Sequence, residues 1–242
     1  MESIILDQVR MIRRSQPRIG TRKLYFKIKP VLMEMGYDFG RDQLFELLRR
    51  ANMLIRRRRK YVKTTDSRHR FTKYGNLIRE LKIDRPNQVY VADITYIRTL
   101  EGFCYLSLLT DAGSRKIVGY NLSRDLGIDG CIRALKMALR PLAKGMDLIH
   151  HSDRGIQYCS YEYTNLLKKH GVRISMTEKD HVYENSLAER VNGILKQEFL
   201  LGETLANLKV AQRMVKEAVQ VYNEERPHLS LNYATPAERH AA

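Results

Sequence analysis

Hydrophobic residues recur at helical spacing in the first fifty residues. Residues 3–14 carry apolar side chains spaced for one helix face, and Pro17 ends that pattern. Two further amphipathic stretches run from Thr21 to Met35 and from Arg41 to Ala51, with Gly36 in the segment between them. Three short helices, the last two joined by a tight turn, predict a helix-turn-helix module. A small helical bundle whose charges are merely solvated is the alternative.

The pattern then changes to apolar runs that are typical of strands. Val89 to Ile97, Phe103 to Asp111 and Lys116 to Leu122 predict a three-stranded meander. Both alternating faces of the first run are largely apolar, so we expect a central strand that is covered on both sides. Asp93 lies in its middle, where an uncompensated carboxylate is costly. A bound cation or a distant basic group must therefore compensate Asp93.

Helices and strands alternate in the remainder of the chain. A short helix is also predicted before the meander, over 76–83, and Thr235-Pro236 has the form of a cap followed by the first residue of a helix. After the meander, the spacing predicts a helix over 129–142, a strand from Asp147, a helix over 160–170, a strand over 172–175, and helices over 185–198 and 203–225.

Two more acidic residues lie at positions that favour a functional site. Asp153 follows the strand that starts at Asp147, and loops at that edge of an α/β sheet commonly carry chemistry. Glu189 lies on the side of its helix opposite the apolar stripe that contains Leu187 and Val191. A structural explanation is also open for Glu189, because Ser186 and Glu189 fit a capping box.

Positive charge is concentrated at the start of the chain. The formal net charge is +16, and residues 1–70 contain 19 of the 43 basic residues but only 7 of the 27 acidic ones. Such a concentration favours a polyanionic partner, and nucleic acid is the commonest; an anionic membrane surface would also fit.

The chain contains no run of about 18 apolar residues and no signal-peptide pattern, so we expect a soluble, cytoplasmic protein without a membrane partner.

The three cysteines, Cys104, Cys131 and Cys159, are widely spaced in apolar or small-residue contexts. This arrangement predicts core thiols in a reducing compartment.

His150 and His151 are a rival metal site, but consecutive strand residues point to opposite faces of a sheet. Two such imidazoles cannot easily bind one ion.

Asp93, Asp153 and Glu189 are separated by 59 and then 35 intervening residues. The segments VADITYI, HSDRGIQYCS and NSLAERVNGILKQE resemble the three acidic motifs of DDE transposases and retroviral integrases. More narrowly, they resemble the second-reading-frame transposase of the insertion-sequence-three family of bacterial elements. The resemblance covers nearly the whole chain, although Asp180-His181 and Glu184-Asn185 depart from the usual wording of the loop before the third acid.

The resemblance implies an α/β ribonuclease-H-like core with a mixed five-stranded sheet and flanking helices. It also implies a transposase that cleaves DNA at the ends of its element and joins the freed 3′ hydroxyl to another phosphodiester. Asp93, Asp153 and Glu189 would hold two Mg²⁺ or Mn²⁺ ions, which carboxylate oxygens suit. A structure-selective nuclease of the same fold and a non-catalytic DNA-binding accessory protein remain alternatives.

The resemblance also assigns partners and domains. We expect double-stranded DNA as partner, both element ends and target, at the bacterial nucleoid. A homodimer or larger assembly on DNA and an upstream reading-frame product are further expectations. The expected divisions are a helix-turn-helix region with a basic arm (1–60), a linker (61–84), a catalytic core (85–200) and a C-terminal helical extension (201–242), whose YNEERPHLSL segment we expect to pack on the core.

DNA contacts are predicted on the basic surfaces of these regions. Asn192 and Lys196 lie on the same helix as Glu189. The alternative to a DNA contact for these two residues is that they belong to a solvent-exposed helix face. The dense run RRRRK is typical of an arm that contacts phosphates. The predicted contacts are Lys196, Asn192, Arg41, Arg49, Arg50, Arg56, Arg57, Arg58, Arg59 and Lys60.

Overall fold

A computed structural model describes residues 1–55, 70–143, 145–178 and 185–242. The predicted arm at 56–60, residues 61–69 of the linker and part of the loop before Glu189 lie outside these ranges. Within them the chain forms the following helices and strands: α1 Glu2–Ser15, α2 Thr21–Glu34, α3 Arg41–Arg50, β1 Val89–Thr99, β2 Gly102–Asp111, β3 Ile117–Ser123, α4 Ile128–Leu139, β4 Ile149–Ser152, α5 Ile156–Cys159, α6 Tyr161–Lys169, β5 Arg173–Met176, α7 Ser186–Glu198, α8 Leu208–Glu224, a 3₁₀ turn Leu229–Leu231, and α9 Pro236–Ala241.

The five strands form one mixed sheet in the order β3-β2-β1-β4-β5. The first three strands pair antiparallel as the predicted meander, and β4 and β5 add in parallel beside β1. Crossover helices are required between parallel neighbours, and α4 and α6 fill that role. The expected ribonuclease-H-like architecture is confirmed.

Helices cover both faces of this sheet. On one face α4 and α6 enclose a core that includes Tyr90, Leu135 and Tyr163. On the other face α7 and α8 pack over Ile97 and Leu106. The central strand β1 is therefore buried on both sides, which explains its nearly continuous apolar sequence. The three cysteines are buried and unpaired by disulfides, as predicted.

The three N-terminal helices enclose a small core of their own, built by residues such as Ile5, Leu24 and Leu48. The chain turns between α2 and α3 through Gly36, whose φ of +73° is a left-handed conformation that glycine adopts at little cost. The helical part of the predicted N-terminal module is therefore present, while its DNA-binding role stays a prediction.

A buried ionic cluster joins three distant parts of the chain. Glu198, the last residue of α7, accepts two hydrogen bonds from the Arg226 guanidinium, both at 2.8 Å. The Lys23 ammonium of α2 donates to the same carboxylate at 2.6 Å. The C-terminal segment thus packs on the core, as expected. The cluster also connects the N-terminal helices to the core through the bond from Lys23 to Glu198.

One predicted helix is absent, and another starts later in the sequence than predicted. Residues 76–83 form turns and irregular backbone instead of a helix, although Ile78, Leu81 and Ile83 still pack on the sheet. The last long helix starts at Leu208, because Leu205 instead forms a short bridge beside Thr99 and Asn207 caps the helix. None of the helices in the described ranges combines the length and apolar composition that crossing a bilayer requires.

Candidate active site

The pairing of β1 with β4 brings two of the predicted acids together. The last paired residues are Ala92 and Ser152, and the next residues along these parallel strands are Asp93 and Asp153. Neighbouring strands lie about 4.8 Å apart, and residues opposite each other in parallel strands share a face. The two carboxylates therefore start from adjacent backbone positions at the point where β4 ends.

Helix α7 carries the third acid, Glu189, and packs over β1 near Asp93. The helix packs across β1 through Ala188, Val191 and Leu195. Asn192 lies in this buried stripe, and its amide Nδ2 donates to the Asp93 carboxylate at 2.6 Å. Glu189, one turn earlier on α7, is exposed. The alternative that Glu189 completes a capping box is wrong, because α7 starts after Asn185 and shows no side-chain capping bond.

The surroundings of Asp93 raise the pKa of its carboxyl group. Burial and the negative charges of Asp153 and Glu189 raise the pKa of Asp93 to about 7, against hydrogen bonds from the Ile94 backbone and Asn192 that favour the charged form. The charges of both other acids act on Asp93, so the three acids lie in one region of the structure. In the described residues, no arginine is among the groups that shift the pKa of Asp93.

The donor set fits a hard divalent cation. A cation that prefers oxygen ligands stabilises carboxylates whose negative charges repel one another. In the described residues, no group of three or more His, Cys, Asp or Glu side chains is close enough to hold an ion. As placed in this structure, Asp93, Asp153 and Glu189 are therefore too far apart to bind one ion together.

The loop after β4 is shaped around Asp153. Its Oδ1 accepts a hydrogen bond from the Gly155 backbone N–H at 2.9 Å. A Cβ atom at Gly155 would lie 2.9 Å from that same oxygen, so a larger residue would displace the carboxylate. The spacing Asp-x-Gly in the sequence is the signal for a turn closed on the carboxylate.

The two adjacent histidines do not form a metal site with each other. His150 faces α6, where its Nε2 lies 2.9 Å from the Tyr163 hydroxyl, and burial lowers its pKa to about 3. His151 points to the opposite face, with its Nδ1 at 2.8 Å from Ser175 Oγ. The expectation that consecutive strand residues diverge holds here.

Asn192 and Lys196 occupy different environments from those predicted. We expected both on the polar side of α7, but Asn192 is buried against Asp93. Its Oδ1 has no hydrogen-bond partner among the described residues. Lys196 is half-buried, and its Nζ lies 4.0 Å from the centre of the Tyr96 ring. Burial lowers the pKa of Lys196, and the Asp93 charge partly offsets that effect.

The predicted DNA contacts of the N-terminal module are exposed on α3. Each already has an acidic partner: Arg41 pairs with Asp42 at 2.9 Å, Arg49 with Glu46, and Arg50 with Glu2 at 2.7 Å. Exposed pairs of this kind contribute little stability, so a phosphate can exchange with the carboxylate at low cost. The arm residues 56–60 lie outside the described residues.

Comparison with known protein families gives the same architecture. The description "Integrase core domain" applies to two family models that match residues 83–181 and 170–236. Among solved structures, the chain is similar to the HTLV-2 integrase catalytic core domain in complex with magnesium, with 19% identity and a TM-score of 0.51 over 64% of this chain and 97% of that one. It is also similar to a chain of the simian T-cell lymphotropic virus intasome, with 16% identity and a TM-score of 0.57 over 92% of this chain and 75% of that one. At these identities the likeness shows the fold.

Curated relatives are more similar in sequence. An insertion element IS600 31 kDa protein of Shigella sonnei is 35% identical over 93% of this chain and 82% of its own length. Transposase InsF for insertion sequence IS3A of Escherichia coli is 32% identical over 89% of this chain and 74% of its own length. The chain carries an integrase core domain and resembles the second-reading-frame product of one family of insertion sequences. It therefore belongs to the insertion-sequence-three family of DNA transposases.

Proposed function

We propose that this transposase cleaves DNA at the ends of its own insertion sequence and joins the freed 3′ hydroxyl to a second phosphodiester. Asp93, Asp153 and Glu189 would hold two Mg²⁺ or Mn²⁺ ions. The observation that carries the proposal is the register of β1 and β4, which places Asp93 beside Asp153 under the helix that bears Glu189.

When bound, a pair of divalent cations lowers the pKa of an attacking water and stabilises the leaving oxygen. In the first step water attacks the phosphorus, the bond to the 3′ oxygen breaks, and that oxygen leaves as a 3′ hydroxyl. In the second step this hydroxyl attacks a target phosphodiester, loses its proton and displaces another 3′ oxygen. Asn192 keeps Asp93 oriented and favours its ionised form, which is the form that binds a cation.

The DNA partner is supported by the charge distribution and by the relatives. The N-terminal helices, with Arg41, Arg49 and Arg50 exposed on α3, bind the element ends, and the basic run 56–60 contacts phosphates. The related HTLV-2 core is described in a magnesium complex and the simian virus chain in an intasome. We propose by analogy a homodimer or larger assembly on DNA; an upstream reading-frame product is a further proposed partner.

Labelled duplex carrying the gene's own flanking DNA tests the proposal. With Mg²⁺ the protein should nick the duplex at the element end and then produce strand-joined products. Products that are cut but never joined would favour a structure-selective nuclease. Binding without either product would favour an accessory DNA-binding protein and contradict the proposal.

A further inference from the structure

The distal half of the β1–β2 hairpin carries an aromatic and basic surface that the proposed chemistry does not use. Pairing places Arg98 opposite Phe103 and Tyr96 opposite Tyr105, and opposite residues of antiparallel strands share a face. We call this set, together with Lys196 of α7, the hairpin patch.

The side chains of the hairpin patch form a continuous chain of contacts. The Lys196 ammonium lies 4.0 Å from the centre of the Tyr96 ring. Tyr96 meets Phe103 edge to face at 5.2 Å, and the Arg98 guanidinium lies 5.2 Å from the Phe103 ring centre. A pair of aromatic rings thus has a cation at each end, at distances typical of cation–π pairs.

The hairpin patch is exposed to solvent, whereas the same face of the sheet is covered further along β2. Ser107, the next β2 residue on this face, is 4% exposed and contacts Cys131 of α4. Phe103, by contrast, keeps 45% of its surface exposed, and Arg98 is exposed beside it. An aromatic ring with this exposure has surface available for a flat apolar ligand.

The patch also adjoins the proposed active site. Lys196 is close enough to Asp93 for the carboxylate to influence its charge, and Tyr96 is three residues along β1 from Asp93. Asp93 and Tyr96 point to opposite faces of the sheet, so a DNA strand whose scissile phosphate lies at Asp93 reaches these rings past Lys196, which contacts the Tyr96 ring and is influenced by the Asp93 charge.

We infer that the hairpin patch binds unpaired nucleotides next to the scissile phosphate, with bases stacked on its rings and phosphates on Lys196 and Arg98. This inference rests on the proposed function for the position of the DNA. Cations at both ends of the ring pair favour nucleic acid over an apolar protein partner, because bases stack on aromatic rings while backbone phosphates require positive charge. Since stacking accepts any base, the patch requires single-stranded character and no particular sequence.

Fluorescence measurements with two DNA probes test the inference. One is a blunt duplex of the element end, and the other carries three unpaired nucleotides with 2-aminopurine among them; both are bound in EDTA so that no cleavage occurs. Phe103→Ala should weaken binding of the tailed duplex about tenfold and reduce the 2-aminopurine quenching, with less than about a twofold effect on the blunt duplex. Phe103→Trp should retain both properties.

Tyr161→Ala provides a matched control, since Tyr161 is 70% exposed but lies on α6. Equal quenching by wild type and Phe103→Ala would overturn the inference, and so would a loss of self-association in place of tail binding, because the patch would then be a protein interface. Cleavage by the wild type with Mg²⁺ is measured separately. Its absence would count against the proposed function, while the quenching result would still decide whether the patch binds unpaired bases.

Discussion

Asp93→Asn is expected to abolish cation-dependent DNA cleavage while making the metal-free protein more stable. Loss of the Asp93 carboxylate should lower the cleavage rate by more than about a thousandfold, or roughly 4 kcal/mol in the activation free energy. Binding to end DNA should persist, because the proposed contacts on α3 are distant in sequence from Asp93. The measurements are single-turnover cleavage with Mg²⁺ and DNA binding in EDTA.

The stability gain follows from the raised pKa of Asp93, about 7 against 3.8 for an unperturbed aspartate. Between these values the folded protein keeps a proton that the unfolded chain has released, so the free energy of unfolding falls as pH rises. Above pH 7 the wild type carries the full cost of an ionised Asp93, and asparagine carries none. After allowance for solvent screening we expect a gain of about 1–2 kcal/mol at pH 8 and a smaller one at pH 4.5.

Urea unfolding in EDTA measures this gain, and added Mg²⁺ should stabilise only the wild type. Asp147→Asn is the matched control, because Asp147 is an exposed carboxylate paired with Arg173 at 2.8 Å. Unchanged cleavage by Asp93→Asn, or stabilisation of that variant by Mg²⁺ equal to that of the wild type, would refute the assignment of Asp93.

Arg226→Leu is expected to lower the free energy of unfolding by about 3 kcal/mol, because it leaves the largely buried Glu198 carboxylate with Lys23 alone. Arg226 is 4% exposed and makes both of its bonds to Glu198. Burial acts to raise the pKa of Glu198, but hydrogen bonds and charge from Arg226 and Lys23 lower it below its usual value. This depressed pKa adds stability at neutral pH that is lost as pH falls through the acidic range, and the variant should lose less on acidification.

Chemical denaturation of Arg226→Leu beside Arg124→Leu provides the comparison. Arg124 also pairs with a glutamate, at 3.1 Å from Glu101, but its side chain is 72% exposed. We expect a change below about 1 kcal/mol for Arg124→Leu. Equal effects of the two substitutions would show that burial of the Glu198 cluster does not matter.

The sequence predicted the order of strands and helices in the core because each has a distinct apolar period. It also placed Asp93 in a central strand and Asp153 at a strand end. The exact pairing of β1 with β4 depends on packing between segments some 60 residues apart in sequence, and this register is what sets the two acids side by side.

The buried polar residues were harder to predict. The apolar residues of α7 suggested a stripe through Leu187, Val191, Ile194 and Leu195. Val191 and Leu195 do pack on the sheet, but they do so beside Ala188 and Asn192. A polar residue within a buried stripe is tolerated only when it has a partner, and that partner, Asp93, is 99 residues distant in sequence. Local pattern could not identify such a pair. Similarly, the apolar residues of 76–83 pack on the core without helical hydrogen bonds, so their spacing misled the prediction.

Iron-directed cleavage of the polypeptide tests most directly whether Asp93, Asp153 and Glu189 share one metal site. Fe²⁺ bound in place of Mg²⁺, with ascorbate and peroxide, generates radicals that cut the backbone near the ion, and mass spectrometry locates the cuts. We predict cuts close to all three acids in the wild type, competed by Mg²⁺ and lost in Asp93→Asn. Cuts confined to other segments, or cuts near Asp93 that persist in Asp93→Asn, would contradict a site built by these three carboxylates.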